Sequence, residues 1–309
     1  MNVLVTGASG FSGTHLLRLL QSERVNIFTH GPVKGILGRH FDTPVHDLHA
    51  LVDVVRHAQP DYVFHLAGIA SGENYSDFYS VNTLYAANLL RALEIAGWQD
   101  SPVLLVGSAA EYGVIQCDEL PITEETPARP YSHYGVSKLA QTQLGLTLSR
   151  SGRKLVMTRP FNIIGCGMGD HLSVKSFALQ VAAIIVKKRP PVIRVGNLSS
   201  SRDFVDVKET VKIYWQLIQT PAAHCQVINI CSGKQIIMKE LLHKLIEFSG
   251  MAIEIREDPS RFKPIDVPSH YGSPEKLRSI LGLTPVKNVN DTLKEILDEL
   301  IISMQKDRV

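Results

Sequence analysis

The chain has 309 residues, 44% of them apolar and 20% charged, with 32 Lys plus Arg against 30 Asp plus Glu for a net charge of +2. That length suits about two domains. The near balance of charge excludes a broadly basic nucleic-acid binder, and the apolar content excludes a disordered acidic chain. A local Arg cluster can still hold an anionic small molecule without moving the total.

The first half alternates between apolar, β-branched runs and helical patterns. Asn2–Thr6, Val25–Thr29, Tyr62–Leu66, Val103–Val106 and Leu155–Arg159 read as strands; Thr14–Ser22, Leu48–Ala58, Phe78–Ala96 and Ser132–Arg150 read as helices between them. Strands separated by helices imply βαβ units and a parallel sheet covered on both faces. The expected fold class is α/β, a Rossmann-type doubly wound parallel sheet with a smaller α+β substrate-binding lobe.

A helical stretch from Ser176 closes in Lys187-Lys188-Arg189, where positive side chains complement a helix C-terminus, and Pro190-Pro191 stops it. Beyond it the pattern is irregular. Short strands at Ile193–Val195, Val227–Ile230 and Ile253–Arg256 mix with helices at Val207–Gln219, Met238–Ser249 and Asp291–Met304, and Pro, Asp and Arg collect in Asp258–Pro268. The two parts are expected to interleave: residues 1–165 plus about 200–225 in the dinucleotide-binding domain, and about 166–199 plus 226–309 in the lobe.

Cys117, Cys166, Cys225 and Cys231 show no C-x-x-C pair and are expected to be reduced and mostly buried. No basic segment followed by a small-residue cleavage site opens the chain, so the expected compartment is the cytoplasm. The longest apolar stretch, Phe177–Val186, is about half a bilayer span and contains Gln180, so no membrane partner is expected.

The first strand runs into Thr6-Gly7-Ala8-Ser9-Gly10-Phe11-Ser12-Gly13 and then a helix. Gly7 permits a sharp turn, Gly10 lets backbone approach a pyrophosphate, and Gly13 lets the helix pack on the strand. The second strand ends Phe28-Thr29-His30-Gly31 without the carboxylate that would bind an NAD ribose, while Lys34 and Arg39 follow within reach of a 2′-phosphate. NADPH is therefore the expected cofactor, with NADH possible. Asp47, ahead of Leu48, could stand near the adenine amino group, and Leu66-Ala67-Gly68 ends the third strand where backbone must pass close to the cofactor.

Tyr134 and Lys138 stand four apart on one helix face, and Ser108 follows the fourth strand. A free phenol titrates near 10. An ammonium one turn away, with an oxidised nicotinamide, favours phenolate and brings the group towards the working range. Neither His133, beside Tyr134, nor His171, in the expected pocket loop, has partners at metal-ligand spacing, and no metal is expected.

Those residues resemble the extended short-chain dehydrogenase/reductase family, which acts mostly on nucleotide sugars. Thr6–Gly13 matches its glycine motif, Gly107-Ser108-Ala109-Ala110-Glu111-Tyr112-Gly113 its serine segment, and Tyr134/Lys138 its catalytic pair. Arg159-Pro160-Phe161-Asn162 and Ser201-Arg202-Asp203-Phe204-Val205-Asp206-Val207 match two substrate segments. Asn229-Ile230-Cys231-Ser232-Gly233 and Asp258-Pro259-Ser260-Arg261 extend the likeness towards the 4-ketoreductases of nucleoside-diphosphate 4-keto-6-deoxyhexoses, GDP-linked ones foremost. The chain departs from that pattern at Ile163, Cys166 and Leu172-Ser173, which flank the sugar pocket, so the sugar or base can differ.

The resemblance implies a division of labour. Tyr134 gives the proton, Lys138 holds the nicotinamide ribose and Ser108 orients the carbonyl. Gly7, Ser9, Gly10, Phe11, Ser12, Gly13, Asp47, Leu48, Leu66, Ala67 and Gly68 line the cofactor with Tyr134 and Lys138. Ser108, Glu111, Asn162, Arg202 and Arg261 meet the substrate. It also implies a homodimer through paired long helices, the apolar stripe of Phe78, Tyr79, Leu84, Tyr85, Leu89 and Leu90 being chiefly core. A 4,6-dehydratase needs a carboxylate two positions beyond the serine, where this chain has Ala110. A 4-epimerase, which keeps NAD bound and usually carries the acidic second-strand residue, stays as the alternative. A catalytically silent nucleotide sensor would have lost the Tyr/Lys pair.

Overall fold

The computed structural model describes residues 1–187, 189–262 and 267–306. Lys188 of the basic triplet and part of the Asp258–Pro268 stretch lie outside them. In chain order come β1 (Asn2–Thr6), α1 (Phe11–Ser22), β2 (Asn26–His30), β3 (Arg39–Phe41), α2 (Leu48–Ala58) and β4 (Tyr62–His65). There follow α3 (Tyr75–Tyr79), α4 (Tyr85–Ala96), β5 (Val103–Val106), α5 (His133–Ser149) and β6 (Leu155–Pro160). The rest comprises β7 (Asn162–Ile164), α6 (Ser173–Lys187), β8 (Val192–Val195), β9 (Ser201–Arg202), β10 (Phe204–Asp206), α7 (Val207–Gln219) and β11 (Gln226–Ile230). It closes with β12 (Ile236–Ile237), α8 (Met238–Ser249), β13 (Glu254–Glu257), β14 (Ser269–His270), α9 (Glu275–Leu281) and α10 (Val289–Lys306).

Seven strands form one parallel sheet in the order β11-β6-β5-β4-β1-β2-β3. Alternation along each strand sends side chains to two cores. Val3, Val5, Phe64, Leu104 and Val156 meet Leu16, Leu17 and Leu20 of α1 and Val211, Tyr214 and Leu217 of α7. Leu4, Val63, Leu105 and Met157 meet Leu51 and Val55 of α2 and Leu89 and Leu93 of α4. This is the expected doubly wound α/β fold. Because every strand runs the same way, Thr6, His65, Val106 and Pro160 all end at one edge, where a ligand crevice forms.

The edge strand β11 corrects the expected division of the chain. Gln226–Ile230 was assigned to the lobe, but it pairs with β6 from Gln226↔Val156 to Ile230↔Pro160, and Leu277 of α9 joins the core beneath it. The lobe proper is a third core in which α6, α8 and α10 pack through Phe177, Val181, Leu241, Leu245, Leu293 and Ile296. Short ladders hold its loops: β10 on β7, β12-β9-β14, and β13 on β8.

Between α3 and α4 the helix does not break; Ser80–Leu84 forms a π-turn that carries the buried Asn82. No disulfide links the four cysteines; contrary to expectation Cys117 and Cys225 are exposed, while Cys231 is buried. Among the described residues no helix is long and apolar enough to cross a membrane.

Candidate active site

The glycine loop turns at Gly7, whose φ of +69° is open to glycine at little cost and whose Cβ would lie 2.5 Å from Ala67 N. A Cβ at residue 13 would overlap the Gly7 carbonyl oxygen. Helix α1 therefore sits hard against β1. Its N-cap, Gly10, offers no side-chain acceptor, whereas Asp47, Ser132 and Asp206 cap α2, α5 and α7 with side-chain oxygens. The first amides of α1 are thus left facing the crevice, which suits a pyrophosphate. Ser9 and Gly10 are exposed there, Phe11 and Ser12 half-buried.

At the end of β2 the His30 ring turns inward to Tyr85 Oη and to Thr43 Oγ1 at 2.8 Å, leaving no carboxylate at the ribose position. Lys34 is exposed in the loop beyond; Arg39, also exposed, lies over the Phe41 ring with its guanidinium 5.4 Å from the centroid. Asp47 accepts from Ala50 N at 3.0 Å as the cap of α2, and Leu48 packs against the sheet core beside it. Neither lines the central cavity; Leu66 and Gly68 do, with Ala67 buried between them.

That cavity, about 790 Å³, lies over the carboxyl edge of the sheet and brings Ser108, Tyr134 and Lys138 together. Ser132 caps α5 by accepting from Gly135 N at 3.1 Å, which sets Tyr134 in the first turn and Lys138 in the next. Lys138 Nζ donates to Val106 O at 2.8 Å and to Gln141 Oε1 at 3.3 Å. Ser108 Oγ accepts from Ala110 N at 3.1 Å and keeps its own proton to donate.

Burial changes the expected acidities. It raises the Tyr134 pKa, and nearby Glu111 adds to the rise; a hydrogen bond with Ser108 only partly offsets them. Burial also pushes Lys138 down to about 8, with Glu111 pulling the other way. Desolvation of Tyr134 works against the pull that the Lys138 ammonium and an oxidised nicotinamide would exert on the phenol.

On the opposite wall, Asn162, Arg202 and Arg261 line the same cavity. Asn162 Nδ2 donates to Asp203 O at 2.8 Å, and Arg202 Nη1 donates to Ser201 O and Val267 O, both at 2.7 Å. Arg261 ends a 3-10 turn, 3.6 Å from Asp258 and within 3.4 Å of Ser176 Oγ. Ile163, Leu172 and Ser173 also line it, while Cys166 does not. Glu111 is a correction. It is 0% exposed, forms an ion pair with Arg159 at 2.8 Å and does not reach the cavity.

Two residues escaped the sequence reading. Asn82 accepts from Ile69 N at 2.8 Å and donates to Ser137 Oγ at 2.9 Å, tying the loop after β4 to the catalytic helix. Gln141 donates to Val106 O at 3.1 Å beside Lys138. A polar residue on the apolar stripe of a helix was the available signal for both. His171 lines the cavity, and His133 stacks on Tyr75 at 4.0 Å. Among the described residues no group of His, Cys, Asp or Glu is gathered to hold a metal.

Comparison with known proteins places this geometry. Residues 3–231 match the model of the NAD dependent epimerase/dehydratase family. The chain belongs to that family. It is 32% identical over 303 residues, 96% of each chain, to the GDP-6-deoxy-D-mannose reductase of Pseudomonas aeruginosa. It is 30% identical to the GDP-6-deoxy-D-talose 4-dehydrogenase of Aggregatibacter actinomycetemcomitans, covering 91% of this chain and 92% of that one. Among solved structures, RMD from Pseudomonas aeruginosa complexed with NADPH superposes with a TM-score of 0.87 at 28% identity, over 98% of this chain and all of that one. The chain is thus an enzyme that works with a nicotinamide dinucleotide, and its glycine loop, uncapped α1 and small residues after β4 fit that cofactor.

Proposed function

We propose that the enzyme reduces the C4 ketone of a nucleoside-diphosphate 4-keto-6-deoxyhexose with NADPH, GDP-4-keto-6-deoxy-D-mannose to GDP-D-rhamnose being the leading case. The observation that carries this reading is the meeting of a half-buried Tyr134 with Ser108 and Lys138 in one cavity, with Ala110 where a dehydratase would need a carboxylate.

Bound NADPH supplies the hydride for C4. Ser108 Oγ, which accepts from Ala110 N–H through one of its two lone pairs, gives its proton to the ketone oxygen. Tyr134 donates its proton as the alkoxide forms, a task that suits a phenol kept neutral by burial. Lys138 presents its ammonium to the nicotinamide ribose and to the tyrosinate left behind. Gly7, Ser9, Gly10, Phe11, Ser12 and Gly13 hold the pyrophosphate, with Leu66, Ala67 and Gly68 along the cofactor. Asn162 meets the sugar, and Arg202 and Arg261 the diphosphate, for which a planar guanidinium is well matched. Asp47 and Leu48, set at the start of α2, are assigned to the adenosine end. Exposed Leu84, Ile95 and Val136 on α4, its π-turn and α5 support a homodimer across that face. The cytoplasm is the proposed compartment.

The likeness to the talose enzyme supports a second product, the other C4 epimer. NADPH oxidation by GDP-4-keto-6-deoxymannose, compared with the dTDP-linked sugar, tests the proposal; NMR of the product separates the epimers. Cofactor binding without oxidation of either sugar would refute it.

A further inference from the structure

Behind the wall that carries Ser108, a carboxylate and a guanidinium are sealed from solvent: Glu111 is 0% exposed and Arg159 5%. Glu111 Oε2 accepts from Arg159 Nε at 2.8 Å. Its Oε1 accepts twice more, from Ser108 N at 2.9 Å and Thr142 Oγ1 at 3.1 Å. The donors come from three places: β6, the turn after β5, and α5 one turn beyond Lys138. The Arg159 guanidinium lies 4.5 Å over the Tyr112 ring, whose hydroxyl donates to Asn229 Oδ1 at 2.7 Å.

Stability alone is a poor reason for such burial, since apolar residues of similar volume often serve as well. An apolar cluster, however, could not accept the Ser108 N–H or set a negative charge near a buried lysine. We propose that Glu111 is a positioning residue: held by Arg159, its carboxylate fixes the Ser108 turn to the Tyr134–Lys138 helix and supplies the counter-charge for Lys138. This rests on the reading of those three residues as the reducing machinery.

Other titratable groups face the same pair. His65 comes from β4 and is pushed down to about 3 by burial, so it is neutral; Tyr214 from α7 is pushed up and stays protonated. Glu111, with the Arg159 guanidinium paired behind it, raises the pKa of both Tyr134 and Lys138.

The test uses Glu111→Gln and Thr142→Val in the intact enzyme, with ultraviolet titration of the Tyr134 phenolate taken as the difference from Tyr134→Phe. Glu111→Gln is expected to lower kcat about 30-fold with KM within about threefold, the signature of a transition-state effect. Its phenolate titration and the alkaline limb of kcat both move to lower pH, because a nearby negative charge is lost. Thr142→Val keeps the ion pair and is expected to lower kcat about fivefold with the limb unmoved. If Glu111→Gln does not fold, Thr142→Val decides, and wild-type kcat in it overturns the inference. In folded Glu111→Gln, an unmoved titration, or a raised KM at unchanged kcat, also overturns it. A wild type that oxidises no NADPH refutes the reductase reading alone, since the titration stands without substrate.

Discussion

On one wall of the cavity, Ser108, Tyr134 and Lys138 hang from β5 and α5, elements seated by apolar packing against the sheet. On the other, Asn162 and Arg202 hang from strands of three residues and two, stitched together by buried carboxylates. Asp203 accepts from Ser232 N at 2.8 Å, Ser232 Oγ at 2.7 Å and Gly233 N at 2.9 Å. Asp206 caps α7 and accepts from Thr292 Oγ1 at 2.8 Å and Lys287 Nζ at 2.9 Å. Both walls hold a buried carboxylate, Glu111 on the first and Asp203 on the second, but only the first also hangs from long elements packed on the sheet, so the second depends more heavily on charge. The reacting groups thus sit on the part least free to drift, while the substrate wall can be retuned through loops.

The sharpest way to isolate the packed wall is Tyr134→Phe. Turnover should fall by about 10²- to 10⁴-fold, the usual worth of a general acid, while NADPH affinity by fluorescence titration stays within about twofold. Asp203→Ala strikes the other wall. It strands a set of buried donors and should cost about 3 kcal/mol, lowering Tm on the order of 5–10 °C and raising KM for the nucleotide sugar at unchanged NADPH affinity. Leu16→Ala, a loss of volume beneath the sheet, should cost a similar amount, about 3 kcal/mol, yet leave that KM alone. If the two substitutions had the same kinetic signature, the contrast between the walls would fail. Arg202→Lys is a smaller step: charge is kept but the fork is lost, so KM should rise about tenfold at constant kcat.

Acid titration addresses stability alone. Burial lowers His30, His65 and His270 from 6.5 to about 4, 3 and 4. The unfolded chain binds those protons first, so the stability these rings contribute is present above about pH 6.5 and drains away towards pH 4 for His30 and His270 and towards pH 3 for His65, by about 1.4 kcal/mol per pH unit for each. His270→Asn should remove one proton from that slope in a Tm-against-pH series; an unchanged slope contradicts its neutral burial.

Much of this molecule was legible in the sequence because parallel strands buried on both faces advertise themselves. The short ladders β7, β9, β10, β12 and β14 were not, since two or three residues carry no period. The Val227–Ile230 run reads the same in either sheet, and only its pairing with β6 assigns it. Ser108, Tyr134 and Lys138 were legible through spacing on local elements. Glu111 was not: a motif gives residue type but not direction, and Arg159 pulls this carboxylate inward. Sequence likewise shows the charge beside Tyr134 and hides the desolvation that raises its pKa.

The central claim is that hydride passes from NADPH to sugar C4. NADPH deuterated at its transferable nicotinamide position, turned over with GDP-4-keto-6-deoxymannose, should give a product carrying one deuterium at C4 of the hexose. A sugar product without the label, as an epimerase that retains its own NAD would give, contradicts the account.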